Sequence, residues 1–291
     1  MSDWKGKSRG NTYGYMFFIT MVRWFGLYPA YFFLFFIAGW FYFFATKDSS
    51  KWMYDFFHNR IGFGKWKSKW KIYENYVFLG QVLIDKVAVL GGMSKKFSST
   101  SNGAENLHRI AALNKGAILL GAHLGNWEIA GQYLLNYSGK INIVMYDGED
   151  QQIKELLQKV MGGIRYNVIA IKNDLAHIYA VSDALARNEI VVMHADRFVK
   201  GARTVKVPFL GEEAQFPIGP FQLIKTFRAN YTFVYGIKAS ATHYNFYARP
   251  HREGKSDSDI TEMVKDYAND LEQMVKQHPE QWFNFYNFWA K

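Results

Sequence analysis

The sequence predicts an α/β fold: a central mixed, mostly parallel sheet flanked by helices, with a hydrophobic, membrane-associated helix near the N-terminus. Two observations carry this prediction. Strand-like apolar runs alternate with helix-like segments from residue 117 onward, and an apolar, aromatic run covers residues 28–45. The 291 residues are enough for a full core, and they contain no internal repeat. We therefore predict an N-terminal membrane anchor or interfacial helix in residues 1–50 and a single domain in residues 51–291.

The apolar run reads YPAYFFLFFIAGWFYFFA. As a helix it would extend about 27 Å, close to the roughly 30 Å hydrocarbon core of a bilayer. It is too long for a signal peptide and is not followed by a small-residue cleavage site. A buried core helix is the alternative. We favour a membrane anchor or interfacial helix, because aromatic residues outnumber leucine.

Basic residues follow this run and favour an anionic surface as a partner. The chain has 35 Lys and Arg against 25 Asp and Glu, a net charge of +10, and 18% of its residues are aromatic. Trp52, Trp66 and Trp70 are interleaved with lysines. The segment that carries these tryptophans and lysines is either a solvated helix face or a surface that binds anionic headgroups or substrate phosphates. The positive-inside rule places the main domain on the cytoplasmic side.

The remaining elements follow from periodicity and from turn residues. Residues 71–90 and 105–113 are predicted helices, and the segment from Gly91 to Gly103 between them is predicted to be a polar connection. Further strands are predicted at residues 117–121, 141–145, 168–171, 190–193, 231–238 and 244–248. Further helices are predicted at residues 126–135, 151–161, 176–187 and 257–277.

The most informative segment is GAHLGNWE, residues 121–128. His123 follows the carboxyl end of a predicted strand, the edge where ligand sites of open α/β sheets lie. Glu128, in the first turn of the next helix, can accept the Nδ1 hydrogen of His123 and fix its tautomer. The other nitrogen is then able to take a proton from a hydroxyl or an amine. Gly125 and Asn126 allow a tight turn. The alternative is a purely structural His–Glu pair.

Several chemistries are excluded. The chain has no cysteine, which rules out disulfides, thiol catalysis and Cys-ligated zinc. It has no G-x-S-x-G elbow, no Walker loop, no dinucleotide-binding glycine motif and no histidine pattern with metal-ligand spacing. We therefore expect no cofactor and no metal. A histidine base without a covalent nucleophile predicts direct attack by an acceptor on an activated donor.

The HLGNWE segment resembles the H-x-x-x-x-D/E motif of glycerolipid-type acyltransferases. Later segments, in the same order along the chain, resemble the bacterial late (secondary) acyltransferases of lipid A biosynthesis. These segments are HADR at residues 194–197, VPFLG at 207–211, FPIGP at 216–220 and PEQW at 279–282. The chain departs from that family at Arg197, where glutamine is usual, and in its aromatic rather than basic tail. These departures leave open another acceptor: an amino-acid lipid, a polyene or pigment lipid, or a lysophospholipid.

The resemblance implies transfer of an acyl chain from acyl carrier protein, or from acyl-CoA, to a hydroxyl of a lipid A-type glycolipid at the cell inner membrane. His123 would be the general base, oriented by Glu128. The expected substrate-binding residues are Asn126, Arg165, Asp196, Arg197, Pro208 and Phe209. Arg165 is the candidate cation for the thioester oxyanion, and Pro208 and Phe209 are expected to shape the acyl pocket. Surface or structural ion pairs are the alternative for Arg165, Asp196 and Arg197. Nucleic acid is not an expected partner, and a non-enzymatic protein that binds anionic lipid is the remaining hypothesis.

Overall fold

A computed structural model describes residues 12–45, 47–127, 129–130, 140–146, 166–172 and 174–289. Its helices are α1 (Thr12–Phe25), α2 (Leu27–Trp40), α3 (Lys47–Asp55), α4 (Lys65–Ala88), α5 (Ala104–Ala112), α6 (Ala176–Ala186), α7 (Gly219–Phe227) and α8 (Ile260–Gln277). Its strands are β1 (Ser98–Asn102), β2 (Ala117–Gly121), β3 (Ile141–Tyr146), β4 (Asn167–Ile171), β5 (Ile190–His194), β6 (Thr204–Phe209), β7 (Glu212–Pro217), β8 (Asn230–Lys238), β9 (His243–Ala248) and β10 (Arg252–Glu253).

The described strands form an eight-stranded sheet in the order β1-β9-β8-β2-β5-β3-β4, with β10 paired to β8. The central pairs β8–β2, β2–β5, β5–β3 and β3–β4 are all parallel, whereas β9 and β10 run antiparallel to β8. The five residues of β2 are all buried, as expected for a strand covered on both faces. The predicted mixed, mostly parallel sheet with flanking helices is confirmed.

The pairing of β2 with β5 positions the functional site. Gly121, the last residue of β2, lies opposite His194, the last residue of β5. Because the two strands are parallel, the chain leaves both at the same edge of the sheet. The amide of Ala195 still donates to the carbonyl of Gly121 at 3.1 Å, so the two exit segments stay side by side. Residues just beyond both strands are thereby brought together.

The six predicted strands from residue 117 onward are confirmed, with ends that differ by at most one residue. The helix predicted at residues 257–277 begins later, at Ile260, because the Asp259 side chain accepts the amide of Thr261 and caps the helix. The helix predicted at residues 151–161, and all but the start of that at 126–135, lie outside the described residues.

The prediction of a polar connection up to Gly103 was wrong. Ser98–Asn102 is an edge strand, paired in parallel with β9. Its residues are mostly exposed, so it lacks the apolar alternation that identifies a strand. Side-chain hydrogen bonds from Ser98 and Thr100 to His243, at 2.7 and 3.0 Å, support the pairing. The β6–β7 hairpin was likewise not predicted.

The apolar N-terminal run forms α2 and a following helical turn, Phe41–Ala45. Leu34 of α2 packs so closely on Gly80 of α4 that any side chain at position 80 would collide with it. Residues 27–44 form a stretch long and apolar enough to cross a membrane, and only 28% of it is buried in the protein. The buried core-helix alternative is therefore not supported. The buried face of α2 belongs to the same apolar core as the strands, so the domain boundary at residue 50 stays a prediction.

Candidate active site

The turn after β2 is held by main-chain hydrogen bonds from two directions. The carbonyl of His123 accepts the amide of Phe283 at 2.9 Å, and the amide of Gly125 donates to the carbonyl of Gln281 at 2.9 Å. On the other side, the amide of Asn126 donates to the carbonyl of Gly236 at 2.6 Å. Gly125 has φ +69°, and a Cβ there would collide with Gly236. The position of His123 is therefore set by the C-terminal segment and by β8.

Asp196 holds His123 by both its ring and its backbone. Oδ1 of Asp196 lies 2.8 Å from Nδ1 of His123, and Oδ2 accepts the main-chain amide of His123 at 3.0 Å. The Asp196 side chain is 1% exposed, whereas that of His123 is 25% exposed. A buried carboxylate thus fixes the ring, and the ring remains partly accessible.

The electrostatics of the pair favour an ionised Asp196 and a neutral His123. Burial raises the pKa of Asp196, but His123 and Arg197 outweigh it, so the net pKa lies well below its usual range. Burial and the charge of Arg197 lower the pKa of His123 below 6.5, against the opposing effect of Asp196. At neutral pH, His123 therefore carries a proton on Nδ1 and a lone pair on Nε2.

His194 lies against the other nitrogen of His123. Its Nδ1 is 3.3 Å from Nε2 of His123, and the two rings meet edge to face at 4.3 Å. The ring of His194 also contacts Trp127, and the two ring centroids are 5.1 Å apart. Burial, followed by the nearby His123, lowers the pKa of His194 well below its usual value, so this ring is neutral.

Arg197 joins the site to the C-terminal segment. Its guanidinium donates to the carbonyl of Phe283 and lies 5.7 Å from the ring centre of Tyr286. Through Phe283, whose amide donates to the carbonyl of His123, Arg197 is connected to the turn that carries His123. Its charge also acts on His123 and Asp196, which links the sequence-predicted residues 123, 196 and 197 in one cluster.

Comparison with known proteins identifies the family of the chain. A model of the bacterial lipid A biosynthesis acyltransferases matches residues 13–291. The chain belongs to this family. Two curated relatives, both named phosphatidylinositol mannoside acyltransferase, come from Mycobacterium tuberculosis strains H37Rv and CDC 1551. They are 24% and 23% identical over 200 residues, which is 65% of this chain but only 60% of each relative's length.

Within this family member, Asn126 has a structural position. It is 1% exposed, and its Oδ1 accepts the amide of Ile129 at 3.2 Å, as a helix N-cap does. Its Nδ2 donates to Tyr244 Oη at 3.2 Å and to the carbonyl of Val82 at 3.3 Å. The side chain is thus engaged within the protein, and its predicted contact with substrate stays a prediction.

Of the other predicted residues, Pro208 and Phe209 lie on a hairpin, and Glu128 and Arg165 lie outside the described residues. Pro208 is exposed on the β6–β7 hairpin. Phe209 is fully buried and packs on Trp282, whose backbone forms a β-bridge with Leu124. Their predicted roles in an acyl pocket stay predictions. Glu128 and Arg165 lie outside the described residues, so their predicted roles also stay predictions.

His123, His194 and Asp196 each offer one possible metal-ligand atom, and these atoms lie within 4.8 Å of one another. This spacing would allow the three residues to hold a metal ion. Both Asp196 oxygens, however, are bonded to His123, one to Nδ1 and one to the backbone amide. Only two nitrogens in the described part of the chain remain to face an ion, fewer than a stable zinc site uses. The hydrogen bonds of Asp196 thus define a His123–Asp196 pair, which His194 contacts from the side of Nε2.

The sequence did not reveal the role of His194 or the contact of Asp196 with the His123 ring. Both depend on β2 and β5 being neighbours, and strand order is not written in a local pattern. The available signal was that an ionisable residue follows the end of both predicted strands: His123 comes two residues after 117–121, and Asp196 comes three residues after 190–193. Tyr267, which donates to the carbonyl of Gly121 at 2.7 Å, gave no local signal.

Proposed function

We propose that this protein is a membrane-associated acyltransferase. It moves a fatty acyl chain from acyl carrier protein, or from acyl-CoA, to a hydroxyl of a lipid A-type glycolipid. The observation that carries the proposal is the pairing of His123 with Asp196 at the carboxyl edge of the sheet. That pairing occurs in a chain that belongs to the lipid A biosynthesis acyltransferases.

The proposed reaction needs one base and no covalent intermediate. Nε2 of His123 takes the proton of the acceptor hydroxyl as its oxygen attacks the thioester carbonyl carbon. The tetrahedral oxyanion collapses, the C–S bond breaks, and the imidazolium returns the proton to the leaving thiolate. The products are an ester and a free thiol on the carrier. Asp196 keeps the ring in the required tautomer and stabilises the imidazolium.

Two further groups complete the proposed mechanism. Glu128 remains the second candidate for orienting His123, five residues along the chain. Arg165 remains the candidate cation for the oxyanion, in the role that positive groups play in such sites. Arg197 is bonded to Phe283, so we assign it to supporting the catalytic turn and to lowering the pKa of His123.

A membrane location is supported by the exposed aromatic surface of the N-terminal half. Phe32, Phe36 and Trp40 of α2 are exposed, although each is large and apolar. On α4, Trp66 is 83% exposed and Trp70 is 60% exposed, beside exposed lysines at positions 65, 67 and 69. This combination suits an anionic bilayer surface, because aromatic rings and lysines both favour the headgroup region. We infer the cytoplasmic face of the inner membrane.

A second candidate acceptor has its own support. The mycobacterial relatives are named for a phosphatidylinositol mannoside, a glycolipid other than lipid A. We therefore keep a glycosylated phospholipid as the alternative acceptor, ahead of an amino-acid lipid, a polyene or pigment lipid, or a lysophospholipid. The catalytic residues and the donor would be unchanged.

The test is acyl transfer by the full-length protein in detergent or vesicles, with acyl carrier protein thioester and a lipid A precursor. Mass spectrometry should detect an acceptor heavier by one acyl group, and His123→Ala should abolish this product. Lipid profiles of cells with and without the gene would identify another acceptor. A protein that binds lipid but forms no ester with any acceptor or donor would contradict the proposal.

The same assay separates the two candidate orienting carboxylates. Asp196→Asn keeps the shape of the side chain but removes the charge that His123 faces. Glu128→Gln makes the matching change at the other position. We expect the larger loss of kcat from Asp196→Asn. A larger loss from Glu128→Gln would return the orienting role to Glu128.

A further inference from the structure

His194 contacts Nε2 of His123, the nitrogen that the proposed reaction uses. The strand register brings it there: His194 lies opposite Gly121, two residues before His123. A Cβ at position 121 would lie 3.3 Å from Cδ2 of His194, so the glycine leaves room for the ring. The result is a contact of 3.3 Å between Nδ1 of His194 and Nε2 of His123.

The hydrogen-bond network assigns the proton in this contact. Asp196 accepts from Nδ1 of His123, so Nε2 of the neutral ring is an acceptor. The hydrogen must then belong to Nδ1 of His194. This leaves the lone pair of His194 on its Nε2, which is buried and has no hydrogen-bond partner among the described residues. The ring of His194 thus donates in one direction only, towards the base.

We propose that His194 is a displaceable cap on the base, which limits hydrolysis of the donor thioester when no acceptor is bound. This inference rests on the proposed acyltransferase function. A partly exposed histidine base beside a bound thioester would also activate water, breaking the C–S bond to give a free fatty acid and a free thiol. The cap occupies the lone pair that water would need.

The acceptor displaces the cap because its lipid and headgroup contacts supply binding energy that water lacks. The contact distance of 3.3 Å is at the long end for a hydrogen bond, which suits a partner that must yield. Once the acceptor hydroxyl is bonded to Nε2 of His123, the cap no longer opposes the chemical step. The cap therefore affects hydrolysis and acceptor KM, and leaves kcat for transfer at saturating acceptor unchanged.

Two isosteric amides provide a matched test. In His194→Asn the amide nitrogen takes the place of Nδ1 and retains a donor towards His123. In His194→Gln the amide takes the place of Nε2 and the donor is lost. We expect His194→Gln to hydrolyse the thioester about 2- to 10-fold faster than wild type without acceptor, the range for losing one neutral hydrogen bond. Its kcat for transfer stays within about 2-fold. His194→Asn should hydrolyse at the wild-type rate.

Equal hydrolysis by the two variants, or no increase in His194→Gln, would overturn the cap. If wild type forms neither ester nor free acid, the proposed function fails, and a chemical measurement then tests the cap alone. Diethyl pyrocarbonate modifies neutral imidazoles, so peptide mass spectrometry at pH 7 reports access to Nε2 of His123. His194→Gln should raise that rate and His194→Asn should not; equal rates in both would also reject the cap.

Discussion

Two buried carboxylates in this protein have opposite surroundings. Asp85 of α4 accepts hydrogen bonds from Tyr31, Tyr244 and Lys238, and we call these four residues the Asp85 cluster. Lys238 also donates to the carbonyl of Ala241 at 2.8 Å. Asp85 is 0% exposed and Lys238 is 4% exposed. Every charge of the Asp85 cluster is therefore paired and shielded from water.

Asp196, in contrast, is bonded to the ring of His123, which is only partly shielded from water. His123 is 25% exposed, its Nε2 lies 3.3 Å from Nδ1 of His194, and the far nitrogen of His194 has no partner in the described structure. A fully paired charge cluster joins elements of the fold: here, α2, α4, β8 and β9. A histidine that is held by a buried carboxylate and remains partly exposed at a sheet edge is accessible to a substrate, as acid–base chemistry requires.

The two clusters are connected through Asn126. Its side chain bonds to Tyr244 of the Asp85 cluster, and its amide belongs to the turn that carries His123. The apolar helix α2 contributes Tyr31 to the same network. The Asp85 cluster supports the fold, whereas the proposed chemistry belongs to the His123–Asp196 pair. Mutations can test whether these two roles are separable.

The largest expected effect is on the chemistry. His123→Ala should lower kcat/KM for acyl transfer by about 10²- to 10⁴-fold, because a positioned general base contributes that much. The free energy of unfolding should fall by about 1–3 kcal/mol, because the buried carboxylate of Asp196 loses the ring that pairs with it. Initial rates and thermal unfolding of the same preparation measure both. An active His123→Ala enzyme would remove the chemical role from this cluster.

The second largest effect is on stability. Asp85→Asn leaves the buried Lys238 without a counter-charge and should reduce the free energy of unfolding by about 3–5 kcal/mol. Glu262→Gln, which breaks the exposed pair with Lys265, is the matched control and should cost at most about 1 kcal/mol. Urea unfolding in detergent measures both. Equal losses in the two variants would show that the Asp85 cluster is not a structural anchor.

A smaller effect is expected in the pH dependence of the reaction. Burial and Arg197 lower the pKa of His123 below 6.5, so the base stays neutral and competent to lower pH than a free histidine. The acid limb of kcat/KM should therefore have its midpoint below pH 6.5. Removing the positive charge with Arg197→Met should move the midpoint upward. A wild-type midpoint above 6.5 would contradict this account of the site.

The smallest effect is expected at the buried support of β2. Tyr267→Phe removes one hydrogen bond to the carbonyl of Gly121 and should cost about 1 kcal/mol of stability. Because the hydrogen bond of Tyr267 goes to the last residue of β2, two residues before His123, kcat should stay within a few-fold of wild type. Denaturant midpoints and rates measure this. A large loss of kcat with unchanged stability would extend the chemical cluster to α8.

Local patterns were enough to identify much of the fold. Buried strands such as Ala117–Gly121 are continuous apolar runs, and that composition survives in any tertiary arrangement. The edge strand Ser98–Asn102 has no such composition and was missed, since its backbone pairing with β9 is all that makes it a strand. In the aromatic tail, Trp282 and Phe288 are buried.

The sequence by itself determined that His123 follows a buried strand on a tight turn, and that a basic, aromatic, apolar N-terminal half precedes it. Only the tertiary structure decided which carboxylate meets Nδ1, because Asp196 lies 73 residues away and reaches His123 through the pairing of β2 with β5. It also decided that His194 faces Nε2 of His123. Local spacing of residue types specifies a helix or a strand. The contacts that set the protonation state of His123 depend on strand order and register, which arise only when the whole sheet assembles.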